Sequence, residues 1–172
     1  DERCVAPTDN ESNYKMTKEH LLSKISIPEE NIHRVKGENN PAEESVRYGN
    51  HLCRNIPNKD GIPQFDLIIL GMGDDGHTAS IFPEEIKLWD SPFKCAMATH
   101  PETGQHRVTI TGEVINIAKN VAFLVTGAGK AEKVGEIINE EKGYKKYPAS
   151  LVDPASGNLS WFLDKAAAEN IK

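Results

Sequence analysis

The residues best suited to chemistry form one run, residues 71–83, with the sequence GMGDDGHTASIFP. It directly follows residues 65–70, an apolar stretch typical of a buried strand. Glycines at a strand exit allow a ligand to approach the backbone closely. His77 can exchange a proton near neutral pH, and Asp75 is placed to hold its imidazole in one tautomer. The run therefore predicts a loop in which His77 acts as a general base.

Three basic side chains are candidates for binding an anion. Lys130 follows two glycines at the end of an apolar strand, where a helix begins, and amides at a helix start favour phosphate. Arg107 opens an alternating, β-branched stretch, and Arg3 lies between an acid and a cysteine. Each also has an ordinary alternative: a solvated lysine at a helix start, an arginine at a sheet edge, or a member of a buried ion pair. Sequence position alone leaves these alternatives open.

Two other chemistries fit the glycine loop less well. Residues 71–76 match the Gly-x-Gly-x-x-Gly pattern of dinucleotide-binding turns. Pro83 comes only seven residues after Gly76, however, and no acid follows about 20 residues later at a strand end, as that fold requires. The acids Asp74 and Asp75 with His77 could suggest a metal, but adjacent acids on a turn point in different directions. We therefore expect neither a nucleotide cofactor nor a metal.

The elements that must position these residues alternate between helix and strand. Strands are predicted over residues 32–35, 65–70, 94–99, 107–111, 121–126 and 161–164, and helices over 12–25, 41–54, 113–118, 130–139 and 165–170. This pattern predicts an α/β fold with a mostly parallel sheet and helices on both faces. Ligands bind such sheets at the carboxyl ends of the strands. Residues 1–3, 71–77 and 127–130 are all expected there, around one crevice.

Composition narrows the classes of function. The chain has 172 residues and a net charge of −6, which fits a single domain and argues against non-specific binding to nucleic acid or anionic membranes. Three widely separated cysteines, without a zinc-ligand spacing, suggest free thiols in a reducing compartment, and we expect a cytoplasmic protein. No apolar stretch approaches membrane-spanning length.

Residues 71–83 closely resemble the signature of the 6-phosphogluconolactonases. Further segments agree in order: residues 1–3 with 12–14 resemble the family's DER…SN segment, 107–109 its RxT strand, and 127–131 its GxxKA turn. Residues 161–164, followed by alanines, also fit. The resemblance spans essentially the whole chain and implies a modified Rossmann-like fold of the deaminase/lactonase type.

This resemblance implies hydrolysis of 6-phospho-D-glucono-1,5-lactone without metal or cofactor. His77 would activate water and Asp75 would orient it. Arg107 and Lys130 would bind the 6-phosphate. Arg3, or amides near Gly71 and Gly73, would stabilise the oxyanion. Asp1 and Glu2 would not contact the substrate but would hold these groups in position.

Glucosamine-6-phosphate deaminases resemble this family and are the main alternative. They follow the same histidine with A-F-N-E-P, whose glutamate supports it, whereas this chain has Phe82 at the matching position. An inactive sugar-phosphate-binding protein of the same fold is a third reading. Lactonases also begin with a further α/β portion carrying a phosphate-binding loop, so we expect the chain to be N-terminally incomplete, with an exposed sheet edge.

Overall fold

A computed structural model describes residues 1–172. The strands are β1 (Glu2–Arg3), β2 (Asn58–Lys59), β3 (Ile62–Pro63), β4 (Ile68–Leu70), β5 (Cys95–Thr99), β6 (His106–Ile110), β7 (Val121–Val125) and β8 (Leu159–Leu163). The α-helices are α1 (Asn13–His20), α2 (Pro41–Asn55), α3 (Gly112–Asn116) and α4 (Ala131–Ile138). None of these helices has the length and apolar character needed to cross a membrane.

Two three-stranded sheets carry the candidate site. In the first, β7 lies between β4 and β8, and all three strands are parallel. The second sheet is antiparallel, with β6 between β1 and β5. The predicted α/β fold is confirmed, but the sequence did not predict a separate antiparallel sheet. Only a short loop joins β5 to β6, and a connection of that length can join antiparallel strands but not parallel ones.

The core lies on one face of the parallel sheet. Val121, Phe123 and Val125 of β7 alternate toward this face, where they are at most 2% exposed and pack with α4. Phe123 also stacks on Trp161 of β8, with ring centroids 4.0 Å apart. The opposite face carries large apolar side chains that are 52–59% exposed, at Leu67, Ile69, Leu124 and Phe162. The period-two alternation of the strands thus gives the sheet one buried and one exposed apolar face.

Polar side chains cap the starts of the first two α-helices. The Ser12 hydroxyl accepts a hydrogen bond from the Lys15 amide, 3.1 Å away, at the start of α1. The Asn40 side chain accepts from two amides at the start of α2, whose first residue is Pro41. Each cap satisfies amides that have no partner inside the helix.

Two predicted elements are wrong. Residues 32–35 pair with no other strand, and residues 165–170 form turns rather than a helix. The carboxylate of Asp164 accepts hydrogen bonds from the amides of Ala167 and Gly127, which ties this segment to the turn before α4. Its last part packs so closely on α4 that a Cβ at Gly135 would meet Asn170. Local helix propensity is overridden by these contacts.

A buried carboxylate fixes the loop that leads into α2. Glu44 is 1% exposed, and both its oxygens lie 2.6 Å from nitrogens of Arg47. It also accepts from the amide of Lys36 and the side chain of Asn39. Burial acts to raise the pKa of Glu44, but these hydrogen bonds outweigh it, and the net pKa is lowered.

The loop held by Glu44 supports the strand that carries Arg3. A Cβ on Gly37 would clash with the carbonyl oxygen of Arg3 and lie 2.8 Å from that of Val5. Only glycine therefore allows the loop to pack this closely on β1. Through this contact the Glu44 network helps to set the position of Arg3.

We expect Glu44→Gln to lower the free energy of unfolding by about 2 kcal/mol. Breaking a fully buried ion pair costs about 3–5 kcal/mol, but the Arg47 side chain is 37% exposed and can be partly rehydrated. Urea denaturation at pH 7 measures the difference. Glu38→Gln is the control, since the Arg34–Glu38 pair lies nearer the surface and its loss should cost about 1 kcal/mol or less.

The same pair should make stability depend on pH. Because the folded-state pKa of Glu44 lies below its ordinary value of 4.5, its contribution is complete above about that pH and is lost as the pH falls further. The advantage of wild type over Glu44→Gln should therefore shrink in urea titrations below pH 4.5. A constant difference down to acid pH would contradict this assignment.

Candidate active site

The loop after β4 folds into a tight turn that presents His77. The Gly73 amide donates to the His77 carbonyl at 2.9 Å, and the Gly76 amide donates to the Gly73 carbonyl at 3.0 Å. Gly76 has φ of +83°, a left-handed conformation that favours glycine. Outside the turn, a Cβ at Gly76 would meet the ring of Tyr147 at 2.7 Å. The turn is therefore held by its own backbone hydrogen bonds and by the packing of the Tyr147 ring against Gly76.

His77 and Asp75 form a hydrogen-bonded pair. Nδ1 of His77 lies 2.6 Å from Oδ1 of Asp75, which also accepts from the His77 amide at 3.1 Å. Burial acts to raise the pKa of Asp75, but the hydrogen bonds from His77 outweigh it, so the pKa is lowered. An ionised Asp75 holds the proton on Nδ1 and leaves Nε2 as the acceptor. The pair therefore has the arrangement of a general base with an orienting carboxylate.

Phe82 forms the apolar side of the imidazole. It is 1% exposed, and its ring centroid lies 4.6 Å from that of His77. The aromatic contact restricts the ring while Asp75 fixes its tautomer. At the position of Phe82, the neighbour of His77 is thus an apolar ring and not a carboxylate.

The two glycines at the start of the loop have different constraints. A Cβ on Gly73 would collide with the imidazole of His77 and lie 2.5 Å from Oδ1 of Asp75. A Cβ on Gly71 would meet no protein atom within 4 Å. Gly73 is thus required by the pair itself, whereas the structure of the protein places no such demand on Gly71.

A cleft of about 380 Å³ opens between the two sheets beside this loop. It brings together seven of the nine predicted site residues: Asp1, Arg3, Gly71, Gly73, His77, Arg107 and Lys130. The other two lie behind it, Asp75 against His77 and Glu2 next to Arg3. Members of the three segments 1–3, 71–77 and 127–130 therefore share one cavity, as expected, and Arg107 joins them from the start of β6.

Arg3 and Arg107 enter the cleft from the neighbouring strands β1 and β6, where they are paired partners. Neither forms a salt bridge with a carboxylate. Arg107 is buried, its Nε has no hydrogen-bond partner, and its guanidinium lies 5.5 Å from the centroid of the Phe82 ring. Burial, and then the charge of Arg3, lower the pKa of Arg107. Two cations held close together without a counter-ion are suited to an anionic ligand.

Lys130 reaches the same cleft from the turn before α4. Its Nζ lies 2.6 Å from Oδ1 of Asp74, in the loop that carries His77. The sequence alone indicated no role for Asp74 beyond that of a possible metal ligand. No group of three or more His, Cys, Asp or Glu side chains is arranged to hold a metal ion.

The two acids at the start of the chain have different surroundings. Asp1 faces the cleft, and its carboxylate accepts from the hydroxyl of Ser80 at 2.8 Å. Glu2 is 4% exposed and accepts from Ser12 and from the first two amides of α1, at Asn13 and Tyr14. Glu2 therefore anchors α1 to β1, close to Arg3.

Sequence reasoning missed three residues around the site. Ser80 is fully buried and connects the loop that carries His77 to Asp1, 79 positions away. Asn13 lines the cleft and donates to the Asp1 carbonyl at 3.2 Å. Tyr147 packs on Gly76. These long-range contacts leave no local signal, although Asn13 belongs to the SN pair of the DER…SN segment that carries part of the family resemblance.

Comparison with known proteins gives consistent matches. A family model described as glucosamine-6-phosphate isomerases/6-phosphogluconolactonase matches residues 1–161. The 6-phosphogluconolactonase of Treponema pallidum is 46% identical over 140 residues, which cover 81% of this chain and 58% of that protein. The 6-phosphogluconolactonase of Haemophilus influenzae is 45% identical over 167 residues, covering 97% and 70%. The crystal structure of a devB protein matches with a TM-score of 0.93 at 44% identity, covering 99% of this chain and 71% of that one.

The spacing around Gly73 makes a prediction about the His77–Asp75 pair. Gly73→Ala should displace the imidazole, because its Cβ would occupy the position of the ring. In histidine-labelled protein, the strongly downfield Nδ1 proton of a hydrogen-bonded imidazole should then be lost from the NMR spectrum. Gly71→Ala is the matched control and should keep the signal. Retention of the signal in Gly73→Ala would show that the pair does not depend on this glycine.

Proposed function

Because the chain belongs to the glucosamine-6-phosphate isomerase/6-phosphogluconolactonase family, we propose that it hydrolyses 6-phospho-D-glucono-1,5-lactone to 6-phospho-D-gluconate. The observation that carries the proposal is the content of one cleft: a His77–Asp75 pair faces two arginines without carboxylate partners, together with Lys130. This combination offers a base for an ester bond and cations for a phosphate in the same cavity.

The proposed reaction begins with water. Nε2 of His77 takes a proton from a water molecule while Nδ1 remains hydrogen-bonded to Asp75. The hydroxide adds to the lactone carbonyl, forming a new C–O bond and a tetrahedral oxyanion. When the bond between this carbon and the ring oxygen breaks, the imidazolium returns the proton to that oxygen. Water is consumed, the ring is opened, and the base is restored.

Arg3 is the best candidate to stabilise the oxyanion. The amide of Gly73 is already used by the carbonyl of His77, which removes one of the two loop positions considered from the sequence. Arg3 donates to the carbonyl of Glu11 through Nη1 and keeps further N–H donors. A preorganised cation aimed at developing negative charge lowers the barrier without reorganisation during the reaction.

Arg107 and Lys130 are the proposed phosphate ligands. Both line the cleft, and the buried Nε of Arg107 has no partner within the protein. A phosphate would supply that partner and the missing counter-charge. Local cations of this kind allow a protein with a net charge of −6 to bind an anionic substrate.

The deaminase alternative lacks support at one position. Where those enzymes need a glutamate to assist the histidine, this chain has Phe82, which is buried against the imidazole. We also propose a cytoplasmic location, which the free thiols of Cys4, Cys53 and Cys95 support.

We expect His77→Ala to lower kcat for the phosphorylated lactone by about 10²–10⁴-fold, the range for loss of a general base. Asp75→Asn should lower it less, because the base remains but its tautomer is no longer fixed. Acid release above the spontaneous rate measures both. His20→Ala, an exposed histidine at the end of α1, is the control. No acceleration by wild type would refute the hydrolase, and ammonia release from glucosamine 6-phosphate would favour the deaminase.

Phosphate recognition can be separated from the chemistry by substrate choice. We expect Arg107→Met to raise KM for the phosphorylated lactone by about 10–100-fold, which corresponds to loss of a charge-assisted hydrogen bond of about 1.5–3 kcal/mol. Values of kcat/KM for unphosphorylated δ-gluconolactone should change less than threefold. An equal loss on both substrates would assign Arg107 to the reaction centre or to folding instead.

A further inference from the structure

Lys130 differs from the two arginines of the cleft because it forms an ion pair within the protein, with Asp74. The carboxylate oxygen and ammonium nitrogen of this pair lie 2.6 Å apart at the edge of the cleft. Lys130 forms no other ion pair. An anion that binds Lys130 must therefore approach a group of its own sign.

Asp74 has no evident structural task. Its side chain is 76% exposed and makes no hydrogen bond apart from the contact with Lys130. The neighbouring Asp75, by contrast, accepts from both the ring and the amide of His77. The turn is closed by the backbone bonds of Gly73 and Gly76, so it does not depend on the Asp74 carboxylate.

We propose that Asp74 tunes the affinity of the cleft for phosphate by competing with it for Lys130. This inference rests on the proposed role of Lys130 as a phosphate ligand. In the free protein the carboxylate neutralises the lysine. When phosphate binds, the carboxylate loses its partner and lies within a few ångströms of a second negative group, where like charges repel.

The consequence for catalysis is a weaker hold on both substrate and product. The phosphate is distant from the reacting carbonyl and is present before and after hydrolysis, so its binding energy is uniform along the reaction. Asp74 should therefore raise KM and speed release of the phosphorylated product without changing the chemical step. Asp74 is a determinant of affinity rather than a catalytic residue.

The decisive variant is Asp74→Asn, which keeps the shape of the side chain and removes its charge. Titration with inorganic phosphate by calorimetry should give about threefold to tenfold tighter binding than wild type at low ionic strength. The gain should shrink toward twofold or less at about 0.5 M salt, because exposed charges are screened over a few ångströms there. KM for the lactone should fall in parallel while the single-turnover rate stays within twofold.

A matched control is available on the opposite edge of the sheet. Asp66 and Lys119 form an exposed pair with the same 2.6 Å separation. These two residues precede β4 and β7, whereas Asp74 and Lys130 follow the same two strands. Asp66→Asn should leave phosphate affinity unchanged. When Asp74→Asn is added to Lys130→Ala, the gain in phosphate affinity should be clearly smaller, because the ammonium for which Asp74 and phosphate compete is gone.

Several results would overturn the inference. These are unchanged or weaker phosphate binding by Asp74→Asn, an equal gain from Asp66→Asn, or a gain that does not vary with salt. The phosphate titration needs no turnover, so it tests Asp74 even if the lactone is not hydrolysed. Absence of hydrolysis by wild type would instead count against the proposed function alone.

Discussion

The hydrogen bond between His77 and Asp75 is the constraint around which the site is built. A contact of 2.6 Å between side chains only two residues apart requires a sharply folded turn. Gly73 lacks a side chain where the imidazole lies, and Gly76 adopts a positive φ where the chain reverses. Phe82 and Tyr147 then cover the two sides of the turn. The glycine-rich composition of the loop follows from the geometry of this one side-chain contact.

The cations of the cleft depend on a different principle. Arg3 and Arg107 are held by neighbouring antiparallel strands, and their charges are not neutralised by the protein. Keeping like charges together costs free energy, which the fold offsets elsewhere through contacts such as the Glu44 network beneath β1. Pre-positioned cations of this kind lose little freedom when an anion binds. The unneutralised arginines thus lower the stability of the free protein and raise its affinity for an anion.

Local chemistry made part of this arrangement readable from the sequence. The caps at Ser12 and Asn40, the apolar strand before Gly71 and the pairing of Asp75 with His77 all depend on residues within a few positions of each other. Contacts between distant segments could not be read. The hydrogen bond from Ser80 to Asp1 and the packing of Asn170 on Gly135 depend on how elements are placed in space. The turns at residues 165–170 show the same limit, since tertiary contacts there override an alanine-rich helical preference.

The pairing of β1 with β6 has a further consequence for how the molecule acquires its site. Arg3 is opposite Arg107 in the register. The two-residue strand β1 therefore pairs only with a strand about one hundred residues later in the chain. Closing so large a loop is entropically costly and is postponed until many native contacts exist. The backbone hydrogen bonds of the His77 turn, in contrast, all lie within seven residues, although Tyr147 also packs on the turn from a distant segment. The hydrogen bonds inside the histidine turn are therefore expected to form at a lower entropic cost than the pairing of the two arginines, so the complete cleft depends on the long-range pairing of β1 with β6.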